Sequence, residues 1–143
     1  MPYKFIENVT LADVAYEATG KNLNELFESA ALAVSRTMVK DLKTIASKVT
    51  KKVSLENENL EQLLNDFLNE IVFYKDAEKL IFGKYKVSIS ESHGRYRLKA
   101  EFSGEKLDMK KHELIVDVKA ATWHMFKVEK TKKGWRAFVV LDV

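Results

Sequence analysis

Asp13 and Asp142 are the residues of this chain whose type and position best suit chemistry. Asp142 closes a strand-like run from Trp135 to Leu141 and is followed by Val143, so a side-chain carboxylate stands one residue from an α-carboxylate. Asp13 follows Thr10-Leu11-Ala12 and opens a second alternating run. If the two runs lie side by side in one sheet, their oxygen-rich ends converge, and a hard cation prefers oxygen ligands. Each acid also has an ordinary role open to it: Asp13 as a turn acid bonded to nearby amides, Asp142 as part of a solvated tail. Phe138, Val139, Val140 and Leu141 argue against a loose tail, because they should pin it into a sheet. Like charges fixed together then need a cation or a lysine. Lys119, in a strand near the end of the chain, is the candidate lysine.

Little else suits catalysis. His93, His112 and His124 are far apart and none shows a His-x-x-x-His spacing, so a zinc site would need them, or acids, to converge by folding alone. His93 reads as a turn residue. His112, beside Lys111 in a polar loop, suits contact with a partner or a phosphate, and His124, alternating with Trp123 in a strand, suits a half-buried, hydrogen-bonded place. The absence of cysteine excludes disulfides, thiolate nucleophiles and cysteine-held zinc or iron–sulfur sites. A Ser-His-Asp order, a nucleophile elbow, a Walker loop and a dinucleotide fingerprint are all missing. Gly83 and Gly104 stand alone rather than in a phosphate-cradling loop. A small metal-dependent hydrolase therefore lacks both base and nucleophile.

Lysines gather at Lys48, Lys51 and Lys52, at Lys110 and Lys111, and at Lys130, Lys132 and Lys133. With 24 basic and 21 acidic residues, net charge +3, the overall balance argues neither for nor against a nucleic-acid partner. The runs fit solvated edges and turns that discourage edge pairing, or a phosphate-facing patch.

The elements that must position these groups follow from periodicity. Val14, Tyr16 and Ala18 alternate with polar or small residues up to Gly20, a half-buried strand. Asn22 with Glu25 three residues on makes a capping-box start for a helix whose apolar stripe is Leu23, Leu26, Phe27, Ala30, Ala31, Val34 and Met38. A second helix starts near Asn59, with Glu58 and Glu61 favoured by its N-terminal dipole and a face of Leu60, Leu63, Leu64, Phe67, Leu68, Ile71 and Val72. Val49, Val53 and Leu55 alternate between the helices. Tyr85, Val87 and Ile89 turn at His93-Gly94 and return through Tyr96, Leu98, Ala100 and Phe102, a hairpin. The segment 103–113 reads as a polar loop with a helical turn. A last hairpin joins 116–129 to 135–143 through Lys132-Lys133-Gly134.

At 143 residues, 46% hydrophobic with one proline, the chain is expected to form a single domain, 1–143, with a real core. The expected fold is α+β: one mixed, largely antiparallel sheet with both amphipathic helices on one face. No apolar stretch approaches the length of a membrane span and no signal-peptide pattern is present, so the expected setting is cytoplasmic.

Three blocks, in order, resemble the archease family. Ala12-Asp13-Val14, then Gly20 and a capped helix, resemble its His-Thr-Ala-Asp-Ile opening. Lys111-His112 followed by Val118-Lys119-Ala120-Ala121-Thr122-Trp123-His124 is similar to its Lys-His … Val-Lys-Ala-Ile-Thr-Tyr-His block. Phe138 to Val143 matches its closing hydrophobic strand, Leu-Asp-Ile. The resemblance implies a small cytoplasmic, non-enzymatic activator of the tRNA-splicing ligase RtcB, one that promotes guanylylation of the ligase's active-site histidine and multiple turnover. It also implies chaperone-like help for tRNA methyltransferases, with direct tRNA binding weak or absent. The family's metal site carries over to Asp13, Asp142 and Val143, with calcium as the divalent ion. Lys119, Lys111 and His112 are the residues expected to contact partner or phosphate. Where the family has His-Thr before Ala-Asp, this chain has Thr10-Leu11; Thr10 can donate a hydrogen bond but not act as a base. The alternative is an RNA-binding or chaperone module acting through the lysine runs and aromatics such as Tyr96 or Trp123.

Overall fold

A computed structural model describes residues 2–7 and 13–143. Thr10-Leu11 lie outside the described residues. Helix α1 (Leu23–Met38) starts where expected, with the Asn22 side-chain oxygen accepting the Glu25 N–H at 2.9 Å. Helix α2 (Leu60–Glu78) starts likewise at Asn59, which accepts from Gln62 N–H at 2.9 Å, and ends at Lys79 in the left-handed region. Each cap satisfies one of the amide donors that a helix start leaves without an intrahelical partner.

The strands form two sheets, not the single mixed sheet expected, and every pairing is antiparallel. The first contains β1 (Tyr3–Ile6), β2 (Asp13–Gly20), β6 (Ala120–Ala121), β7 (Lys127–Thr131) and β8 (Gly134–Asp142). There β2 pairs along one edge of β8, while β7 and β6 share its other edge. The second sheet has the order β3 (Val49–Asn57), β5 (Arg95–Lys106), β4 (Leu80–Ser92). Both helices touch strands of both sheets. That position explains why α1 buries Ser29, Ala33, Ser35 and Thr37 besides its apolar stripe: a helix covered from two sides hides more than one face. The α+β class holds; the layer count differs because the apolar surface of the helices needs two sheets to cover it.

Phe27 of α1, Phe67 of α2 and Phe102 of β5 form an aromatic chain, with centroids 5.4 and 5.5 Å apart, tying both helices to the second sheet. On the other side, the buried Tyr16 of β2 donates its hydroxyl to Ala30 O at 2.9 Å, locking the first sheet to α1.

Three local expectations change. Residues 103–106 continue β5 rather than starting a loop, because Gly104 lets the strand pass tightly by Ile81 and Phe82 at a β4 bulge. Of the segment 116–126 only Ala120–Ala121 forms a strand; 123–126 turn away before β7, with Met125 at φ 54°. His124 is therefore exposed in a turn and not half-buried in a strand. The His93-Gly94 turn, with φ 54° and 74°, is the two-residue hairpin that the sequence predicts. Among the described residues no helix is long and apolar enough to cross a membrane.

Candidate metal centre

The register of the first sheet sets Asp13 directly opposite Asp142. Side chains two residues apart share a face, so the acids lie on the side away from Tyr16, Ala18, Val139 and Leu141, which face the helices. Directly opposed residues carry their Cβ atoms about 4.5–5.5 Å apart, close enough for one cation to lie between the carboxylates. Both acids are half-buried, and neither has an ion-pair partner among the described residues. Val143 follows, its side chain packed against the core, so the backbone leaving Asp142 is held and not frayed.

The oxygens that this end of the sheet brings together are the two side-chain carboxylates, with Val143 next along the chain. Such hard oxygens suit calcium or magnesium, and a site this sparse leaves coordination positions for water or a partner. No group of three His, Cys, Asp or Glu residues stands together among the described residues, so a conventional zinc site has no ligands here.

What holds this end of the sheet is a clamp from α2 that the sequence reading missed. The Asn69 side chain imitates a strand: its Oδ1 accepts from Ala121 N–H at 2.9 Å and its Nδ2 donates to Ala121 O at 3.2 Å. Asn65, one turn earlier, donates to the same carbonyl at 3.3 Å. Lys75, 9% exposed, donates to Val118 O at 2.5 Å and to the Asp117 carboxylate at 2.6 Å. Burial opposes the charge of Lys75, but the hydrogen bonds it donates to Asp117 and Asp76 outweigh that and hold its pKa above the usual value. The clamped segment in turn holds β8: Lys119 N–H donates to Asp142 O at 2.7 Å and Thr122 N–H to Val140 O at 3.0 Å. The legible signal was polar residues at i and i+4, Asn65 and Asn69, beside an otherwise apolar helix face.

Lys119 touches the centre through its backbone; its exposed side chain forms no ion pair with either acid among the described residues. Lys111 and His112 lie apart, around Glu105. Asp108 N–H donates to His112 Nδ1 at 3.0 Å, so the imidazole proton sits on Nε2 and points to Glu105 at 2.9 Å. His112 is 1% exposed with both nitrogens engaged, which leaves none for a phosphate or partner. The Glu105 carboxylate also pairs with the Lys111 ammonium at 2.7 Å and with that of Lys48 at 3.5 Å. The Lys111 hydrogen bond, then the Ala46 amide, pull the Glu105 carboxyl down to about 2 against the opposing effect of burial. The Lys-His block thus closes the 107–112 loop onto β5.

Fold and centre together define a two-sheet α+β domain that presents an opposed acid pair at the end of two central strands. The family model described as the Archease protein family (MTH1598/TM1083) matches residues 3–143. The archease of Pyrococcus furiosus is 40% identical over 133 residues, 92% of this chain and 93% of that one. The archease of Methanosarcina barkeri is 33% identical over 142 residues, 99% and 95% of the two chains. The chain belongs to the archease family. Among solved structures, the solution structure of protein 1598 from Methanobacterium thermoautotrophicum aligns with a TM-score of 0.86 at 32% identity, covering 99% of each chain. The crystal structure of a Thermotoga maritima protein, described as an archease and "possible chaperone", shares the fold at a TM-score of 0.59 and 19% identity, covering 94% and 93%.

Proposed function

We propose that this archease is a non-enzymatic accessory protein that activates an RtcB-type tRNA-splicing RNA ligase. In this reading Asp13, Asp142 and Val143 offer oxygen ligands to a divalent ion, calcium by the family's habit, beside the ligase's reacting nucleotide. The supporting observation is the register that opposes Asp13 to Asp142, remote in sequence, with nothing among the described residues to neutralise them. A divalent ion bound there supplies positive charge for a transferring phosphoryl group. The chain's own part is positional. The α2 clamp keeps 118–121 against β8, the half-buried acids stay aligned, and the exposed Lys119 ammonium is available to a phosphate.

A second reading, chaperone-like help to tRNA methyltransferases, draws on one feature: Leu114, Ile115 and Val116 are consecutive and 38–48% exposed, an apolar strip suited to a protein partner. Turnover counting separates the two. With cognate ligase, GTP, a divalent metal and RNA ends, wild type is expected to raise product well above one per ligase, and Asp13→Asn with Asp142→Asn to abolish the gain. If the double variant stimulates as well as wild type, the activator reading fails at this centre.

A further inference from the structure

The other end of the same two strands carries a feature with the opposite charge. Gly20 and Trp135 are opposed in the register, and at ~3.4 Å per residue they lie about 24 Å along the strands from the acid pair. There the corner between β2 and α1 presses against the β7–β8 turn: a Cβ on Gly134 would come within 2.2 Å of Gly20 O and 2.9 Å of Lys21 Cα. This approach, open only to glycine, sets Lys21 beside Lys132 and Lys133 on a groove of about 660 Å³ whose wall includes Trp135.

The groove's arginine is already neutralised, since Arg136 bonds Glu129 and lies 3.9 Å from Glu17. Its remaining acid, Glu25, sits at the start of α1, within reach of the Asn22 amide at 3.5 Å. Lys21, Lys132 and Lys133 have no ion-pair partner among the described residues, and Lys130 sits 5.9 Å from the Trp135 ring centroid. Unpaired ammonium groups alone would accept any polyanion. The half-buried Trp135 indole on the same groove wall adds a surface on which a base can stack, which an acidic peptide cannot use.

We infer that this groove binds the phosphate backbone of single-stranded RNA, with Trp135 as the stacking surface for one base. Three lysines meeting three phosphates give a salt slope of about −2, an affinity loss of roughly 20-fold between about 50 and 200 mM salt. Binding is then weak on its own and matters when a partner holds the same RNA, with the acids meeting that partner at the far end of the strands.

The test is fluorescence anisotropy with a labelled oligouridylate titrated by the full chain at those two salt concentrations. Lys132→Gln with Lys133→Gln should flatten the slope to about −0.7. Trp135→Leu should weaken binding roughly tenfold with the slope unchanged. Asp13→Asn with Asp142→Asn should bind as wild type does. The inference is overturned by no binding at about 1 mM protein in the lower salt, or by the wild-type slope persisting in the double-lysine variant. It is overturned equally if polyglutamate displaces the oligonucleotide as well as unlabelled RNA does, which would assign the groove to an acidic protein surface. Circular dichroism checks each variant, and should Trp135→Leu not fold, the lysine pair, on an exposed turn, decides alone.

Discussion

Asn69→Ala isolates the clamp on which the acid pair depends. The substitution removes two hydrogen bonds to Ala121, at 2.9 and 3.2 Å, and leaves Ala121, 5% exposed, with a buried N–H lacking its acceptor. Asn65 still reaches the Ala121 carbonyl at 3.3 Å, so the acceptor side is only weakened. One net hydrogen bond at about 1 kcal/mol plus an orphaned amide at ~1–2 kcal/mol gives a loss of about 2–3 kcal/mol. For a domain of this size that corresponds to a fall in Tm of roughly 8 °C. Gln62→Ala, which removes an i,i+4 bond to Asp66 on the same helix, should cost under ~0.5 kcal/mol. Urea unfolding measures both, and amide hydrogen exchange localises the effect: Ala121 N–H should lose protection first, with Lys119 N–H following because it bonds Asp142 O. An Asn69→Ala protein as stable as the Gln62→Ala control, with Ala121 still protected, would refute the clamp.

Two further outcomes test the rest of the structure. Because the Glu105 carboxyl is held at about 2 in the folded protein against an ordinary 4.5, its stabilising effect is fully present above about pH 4.5 and is lost as the pH falls toward 2. Wild type should therefore exceed Glu105→Gln in stability at pH 7, and the gap should narrow through that window in urea titrations at several pH values; a constant gap would contradict the Glu105–Lys111–His112 arrangement. Gly104→Ala places a Cβ 1.8 Å from Ile81 O and 2.7 Å from Phe82 Cα, both backbone atoms, and should cost about 3 kcal/mol or more in thermal unfolding.

The parts of this molecule legible in its sequence are those governed by short-range physics. Asn22 and Asn59 announce the helix starts because a side-chain cap is a local bond, and His93-Gly94 announces its hairpin because both residues tolerate positive φ. The convergence of Asp13 and Asp142 was reachable because two alternating runs with acids at their ends have few ways to share a sheet. The second sheet was not reachable: whether Phe102 and Val139 share one layer depends on how wide a face each helix must hide, a long-range property. Segment 103–106 reads as a loop because it is polar, whereas Gly104 serves close packing against Ile81. Lys111-His112 looked available to a phosphate because nothing in the sequence shows Glu105 waiting beneath them. Asn69 escaped notice because an amide imitating a strand has no sequence signature beyond its polarity.

The central claim is that Asp13 and Asp142 act as one cation-binding unit, and calcium titration followed by thermal unfolding tests it most directly. Wild type in chelator should carry the cost of two opposed carboxylates, up to ~1 kcal/mol. Calcium at a hundred times its dissociation constant should then add about 2.7 kcal/mol of stability. Asp13→Asn with Asp142→Asn should be at least as stable as wild type in chelator and gain nothing from calcium or magnesium. An equal gain by wild type and the double variant, or none by either, would contradict the account.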